Sequence, residues 1–274
     1  MPELPEVETV RRELLVSVLG AVIKDSTLIW PLVVEIPANQ DLRSLVCGRS
    51  FVDVRRRGKY LLLDLSGGMT FVVHFRMTGR LIFYQEEPAP DKHTHLIFHL
   101  EYGSLHYSDT RKFGRIQIVD TAAVSELPAL KKLGPDPLAD DFEFDELGQQ
   151  LTIRYNASIK AALLDQRVVA GLGNIYTDEL LFRAGVHPNK TVAALRTSEI
   201  LRIHQAMREI LQTSIAYQGT TFRDYRHADG SKGEFQNRLQ VYGRYKQSCR
   251  RCQTKLVREQ IAGRTTVYCP LCQV

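Results

Sequence analysis

From Phe51 to Asp120 the apolar residues come in short runs, FVDV, YLLLDL, TFVVHF, RLIFYQ, HLIFHL, SLHYSD and RIQIVD, broken by Gly58, Gly67-Gly68, Pro88, Pro90, Gly103 and Gly114. Regular short runs with turn residues between them predict the strands of a β-sandwich or barrel. Ahead of them Val7, Val10, Leu14 and Val18 fall near one face of a helix, which is expected to pack on those strands. The texture changes after Leu133. GPDPLADDFEFDE is rich in proline and acid and reads as a linker, and helical spacing takes over beyond it. Over 198–217, Ile203, Met207, Ile210, Leu211 and Ile215 share a helix face before Gly219 ends it. The chain closes on KLVREQIAGRTTVY, read as two strands joined at Ala262-Gly263, with Arg264 at the hairpin tip. The class expected is therefore α+β, without internal repeats or low-complexity tracts.

Composition narrows this picture. A chain of 274 residues, 44% hydrophobic and 24% charged, suits a globular protein of two domains. No apolar run approaches the roughly 18 residues of a membrane span, and the N-terminus is acidic where a signal peptide would be basic, so a cytoplasmic location is expected. The net charge is +5, but from Gln240 onward seven Lys or Arg face a single acid, Glu259, which leaves the rest of the chain at −1. A basic cluster of this kind is either a solvated face or a nucleic-acid footprint.

Four of the five cysteines form Cys249-x2-Cys252-x16-Cys269-x2-Cys272. Two such knuckles at this separation fit a tetrahedral Zn²⁺ site, and four thiolates leave no open position, so one structural zinc is expected. Two disulfides would require an oxidising compartment, for which no leader argues. Cys47, alone in SLVCGRS, reads as a buried apolar residue. On a zinc-held ribbon, Arg264 either reaches a phosphate or lies on a solvated face, and the basic finger favours the phosphate.

Three further features carry candidate chemistry. The opening MPELPEVETVRREL sets Pro2 and Pro5 among Glu3, Glu6 and Glu8; this is a helix start with acids at the positive end of its dipole, or a proline amine freed by loss of Met1. VVAGLGNIYTDELLFRAGVHP lacks the third glycine and the strand of a dinucleotide loop and parses as helix, glycine turn, helix. Gly171 and Gly173 there either allow close helix packing or, with Asn174, present a helix N-terminus to an anion. Between the strands lie RRRGKY, HFRMTGR, DKHTH and DTRKFGR, which mix bases with Met77 and Phe113; these two are core residues, or wedges that replace a base in a stack.

PELPEVETVRREL, RRGKYLLL, DTRKFG, GLGNIYTDELLFRA, LQVYGR and AGRTTVYCPLCQ, in this order along essentially the whole chain, closely resemble bacterial formamidopyrimidine-DNA glycosylases. The resemblance implies an N-terminal β-sandwich with flanking helices (1–134), a linker (135–148), a helix-two-turns-helix DNA-binding domain (149–238) and a zinc-finger β-hairpin (239–274), with DNA held between domains. It implies a bifunctional glycosylase and AP lyase of base-excision repair that removes 8-oxoguanine and formamidopyrimidines opposite cytosine. It is expected to work as a monomer in the bacterial cytoplasm, at the nucleoid when on DNA. By the same resemblance Pro2 is the nucleophile that forms a Schiff base, Glu3 the acid beside it and Glu6 a support of the helix, while Lys59 and Arg264 donate protons in the β- and δ-eliminations. His74, His93, Arg111, Lys160, Asn174 and Tyr242 fall at DNA-contact positions. Met77, Arg111 and Phe113 fill the gap left by the extruded nucleotide.

The chain departs from the pattern in places. TIRYNASIK precedes Lys160 where many relatives have a lysine run, leaving Arg154 as the substitute phosphate contact, and Thr78 stands where some relatives carry Glu. The loop 219–235 is expected to close over the extruded base. Two other readings compete: the endonuclease VIII type, which favours oxidised pyrimidines, and a non-catalytic zinc-finger DNA-binding protein. PELPEVET and the set Met77, Arg111, Phe113 argue against the first, and Pro2 with Glu3 against the second.

Overall fold

A computed structural model describes residues 1–220 and 233–274, so most of the loop 219–235 lies outside the described residues. The chain forms two compact units, residues 1–131 with 218–234, and 132–217 with 235–274.

The first unit is a sandwich of two sheets. One runs β1 (Ile23–Leu28), β7 (Thr94–Leu100), β8 (Ser104–Asp109), β6 (Gly79–Tyr84), all antiparallel. The other runs β2 (Val34–Glu35), β9 (Arg115–Asp120), β5 (Met69–His74), β4 (Tyr60–Leu65), β3 (Phe51–Arg57), with only the short β2 parallel to its neighbour. Alternation decides the faces: Leu61, Leu63 and Leu65 of β4 enter the core, while Asp64 lies on the opposite face of the sheet, buried against Arg55 Nε, 2.5 Å away. Helix α1 (Leu4–Ser17) closes the sandwich, placing Val7, Val10 and Leu14, with Val18 after it, in the same core as Phe51, Phe71 and Phe98. α2 (Leu42–Val46), capped by the Asp41 carboxylate, and α3 (Pro128–Lys131) complete the unit. Cys47 departs from the expected buried position. It ends α2 half-exposed, because it is the C-cap, where the backbone leaves the helix for an extended conformation and sets Sγ 4.0 Å from Asp25 Oδ1.

The second unit is helical: α4 (Phe144–Leu151), α5 (Ile159–Leu164), α6 (Asn174–Ala184) and α7 (Thr197–Ala216), followed by the hairpin β10 (Val257–Ile261) and β11 (Arg264–Tyr268). The acidic stretch after Leu133 leads directly into α4. α6 is buried on nearly every side, Asp178 and Glu179 included, and Gly185 at φ +68° caps its end. Tyr176 on α6 hydrogen-bonds Ser214 on α7 at 2.6 Å. Among the described residues no helix is long and apolar enough to cross a membrane.

Candidate active site and nucleic-acid interface

The helix start and the proline separate in space. Leu4 begins α1, Pro5 occupies its first turn, and Glu6 Oε2 accepts the Glu3 N–H at 2.8 Å, so Pro5 and Glu6 fulfil the helix-starting role. Pro2 precedes the cap, is buried, and fixes no helical dihedral. The carboxylates beside it are enclosed as well, Glu3 at 3% and Glu6 at 2% exposure, and Glu6 Oε1 accepts the Thr220 N–H at 2.8 Å.

Glu8, one turn further on, ties this segment to the β3–β4 hairpin. Its carboxylate accepts from Arg11 Nη2 at 2.8 Å, Arg12 Nε at 2.9 Å and Arg56 Nε at 3.1 Å. Burial opposes its ionisation, but the hydrogen bonds of Arg11 and Arg12 and the charges of Arg11 and Arg56 outweigh it and hold the carboxyl at about 2. Arg56 Nη1 also donates to the Gly58 carbonyl at 3.2 Å, fixing the turn that carries the buried Lys59. His74, paired across from Tyr60, is pushed down to about 4 by burial and by the charges of Arg76 and Lys59. Its neutral Nδ1 accepts the Arg76 N–H at 3.0 Å.

Met77, Arg111 and Phe113 come together on neighbouring loops and are exposed, Met77 at 45% and Phe113 at 49%. The Arg111 guanidinium lies 4.7 Å from the Phe113 ring centroid, and its Nη1 is 2.9 Å from Met77 Sδ. Exposed apolar side chains gathered round an arginine are a poor core and a serviceable wedge. Beneath them the His93 carbonyl accepts the Asp109 N–H at 2.9 Å.

In the second unit the hairpin β10–β11 turns at Ala262 and Gly263, at φ +53° and +68°, leaving Arg264 exposed. Asn174 opens α6 and donates from Nδ2 to the Thr265 carbonyl at 2.9 Å, so the turn at Gly173 meets the hairpin beside Arg264. Tyr242 is half-buried, its N–H donating to Glu179 Oε1 at 2.8 Å together with that of Val241 at 2.9 Å, while the Gln240 N–H donates to Oε2 at 2.8 Å. Arg154 lies 3.8 Å from Asp165, with a buried Nε that has no partner among the described residues. Lys160 points inward. It is fully buried, with Nζ 2.5 Å from Asp178 Oδ1 and 2.7 Å from Thr266 Oγ1, and Asp178 Oδ2 accepts the Val267 N–H at 3.2 Å.

Three family models match: the formamidopyrimidine-DNA glycosylase N-terminal domain over residues 1–116, the formamidopyrimidine-DNA glycosylase H2TH domain over 133–226, and the zinc finger found in FPG and IleRS over 246–274. The chain belongs to the formamidopyrimidine-DNA glycosylase family. A formamidopyrimidine-DNA glycosylase of Desulfitobacterium hafniense is 47% identical over 274 residues, covering all of both chains, and one of Pelotomaculum thermopropionicum is 44% identical over 100% of this chain and 99% of its own. A variant of Lactococcus lactis FPG in complex with Fapy-dG containing DNA has a TM-score of 0.92 at 38% identity, with 99% of each chain covered. Like its family, the chain is a DNA glycosylase with AP lyase activity.

The four cysteines suit the finger of this family. Their sulfurs lie within 4.8 Å of one another, with Cys249 to Cys272 at 3.9 Å and Cys252 to Cys269 at 3.5 Å. Zn–S bonds of about 2.3 Å in a tetrahedron need sulfurs about 3.8 Å apart, so the cluster fits one structural zinc. Glu8 and Arg56 were not singled out as site residues by sequence. Their signal is only that an acid on α1 and the arginine run before Gly58 are complementary, which nothing local requires to meet.

Proposed function

We propose that this glycosylase removes oxidised purines, 8-oxoguanine and formamidopyrimidines, from duplex DNA through Pro2. Loss of Met1 gives Pro2 a secondary amine, and an N-terminal amine is far less basic than a lysine, so a useful fraction is neutral near pH 7. The amine nitrogen bonds to C1′ as the C1′–base bond breaks and the base leaves with a proton. Opening of the sugar ring then gives an iminium Schiff base. Glu3, one residue away, is the acid and proton shuttle. Removal of a C2′ proton expels the 3′ phosphate, a second elimination expels the 5′ phosphate, and Lys59 and Arg264 serve as proton donors and phosphate contacts in these steps. His74, kept neutral, holds the Arg76 backbone.

The observation that carries this reading is that Pro2 is buried beside two enclosed carboxylates yet stands outside the helix it precedes. Extruding the nucleotide costs a few kcal/mol, which Met77, Arg111 and Phe113 offset by filling the vacated stack. Arg111 offers a fork of donors to the orphaned cytosine. Arg154, Asn174, His93 and Tyr242 serve as backbone contacts, and zinc, when bound, closes the finger that presents Arg264. The enzyme acts as a monomer, in the cytoplasm and on the nucleoid.

Borohydride trapping on an 8-oxoguanine duplex tests this, with the N-terminus of each preparation checked by mass spectrometry. Processed protein crosslinks, whereas protein retaining Met1 binds without crosslinking because its Pro2 nitrogen is an amide. Normal trapping by the Met1-retaining form refutes the assignment, and preferential trapping on a thymine glycol duplex favours the endonuclease VIII type instead.

A further inference from the structure

The two loops that carry the wedge share one buried acceptor. Asp109, at the end of β8, is fully enclosed. Its Oδ1 accepts the Thr78 hydroxyl and, at 3.1 Å, the Arg111 N–H, while its Oδ2 accepts the Gly114 N–H at 2.7 Å. Thr78 follows Met77, and Gly114 follows Phe113. The Arg111 N–H is shared with Thr78 Oγ1 at 3.1 Å, so hydroxyl, carboxylate and amide form a closed ring across the two loops.

The backbone on either side is held where it would not rest by itself. Arg76 and Lys112, which directly precede Met77 and Phe113, lie at φ +55° and +58°. That region is disfavoured for residues with a Cβ and persists where surrounding contacts enforce it. Both loops also press on one ring: a Cβ added at Gly79 would come within 2.6 Å of the Tyr107 hydroxyl, and one at Gly114 within 1.7 Å. The two turns are therefore locked against a common floor.

We infer that Asp109 is the positioning residue of the wedge, acting with Thr78 to hold Met77, Arg111 and Phe113 as one preassembled unit and so setting preference for the base opposite the lesion. This rests on the wedge reading given above. A carboxylate suits the task because it presents only acceptors, and every group that meets it here is a donor. Thr78 carries the link between loops through its hydroxyl alone, so Thr78→Val removes the link at nearly constant shape.

The test compares wild type, Thr78→Val and Asp109→Asn on three substrates: an 8-oxoguanine duplex with cytosine opposite, the same with adenine opposite, and a duplex with a preformed abasic site, which has no base to extrude. Misplacement of about 1 Å costs on the order of 100-fold in rate, so a loosened wedge should lower excision opposite cytosine by at least about tenfold. The cytosine-over-adenine preference should collapse with it, and abasic-site cleavage under single-turnover conditions should stay within about twofold. Asp109→Asn should show the larger change, and Thr78→Val decides the matter if Asp109→Asn fails to fold. Undiminished preference in folded Thr78→Val, or excision and abasic-site cleavage falling together, would overturn the inference. A wild-type protein that neither excises nor traps would instead overturn the proposed function, and this inference with it.

Discussion

Replacing Glu8 by Gln removes the negative charge that Arg11, Arg12 and Arg56 share and leaves one amide oxygen where two carboxylate oxygens stood, and the structure sets the size of the effect. The carboxyl is held at about 2, against 4.5 for a free glutamate. A difference of that size corresponds to about 3 kcal/mol of extra stability in the ionised state. Arg12 is 60% exposed and Arg11 26%, so solvent screening reduces this to about 2 kcal/mol. Because the folded carboxyl lies below its unfolded value, this stability is present above pH 4.5 and is lost as the pH falls towards 2. Trp30 is the single tryptophan and lies in the first unit, so urea unfolding followed by its fluorescence reads that unit alone. At pH 7 Glu8→Gln should lower the midpoint by about 1 M urea, taking a slope of about 2 kcal/mol/M. At pH 3 the gap should narrow by at least about half, since wild type has then lost most of the same stabilisation. Abasic-site cleavage should fall as well, because Arg56 loses its anchor beside the turn of Lys59. A gap of equal size at both pH values would refute the argument, since it would assign the loss to packing rather than charge.

Lys160→Met should cost about 3–5 kcal/mol by stranding the buried Asp178, while leaving the salt dependence of DNA binding unchanged. Full stability with a salt slope shallower by about 0.9 would instead make Lys160 a phosphate contact. Cys269→Ser, or removal of zinc, should abolish DNA binding by unfolding the hairpin that carries Arg264, yet leave the Trp30 unfolding transition in place. Filter binding and the fluorescence transition check both halves, and retained affinity in zinc-free protein would refute the dependence.

Arg111, Met77 and Phe113 show how tertiary structure adds to a reading that the sequence leaves open. Each alone is an ordinary residue of a β-protein, and it is their gathering on two loops, exposed, that supports the wedge proposed for them. By contrast, seven strands, the long helix ending near Gly219, the cysteine knuckles and the turn at Ala262-Gly263 were legible in the chain itself. They depend on periodicity, spacing and turn chemistry, which act over a few residues. What tertiary structure decided is the partner of each buried charge. Lys160 meets Asp178 18 residues on and Thr266 106 residues on, and Glu8 meets Arg56 48 residues on. Nothing in the neighbourhood of a lysine or a glutamate says whether water or a distant counter-charge will satisfy it. A charge enters the interior only where folding delivers its partner to the same place, because an unpaired buried charge costs several kcal/mol.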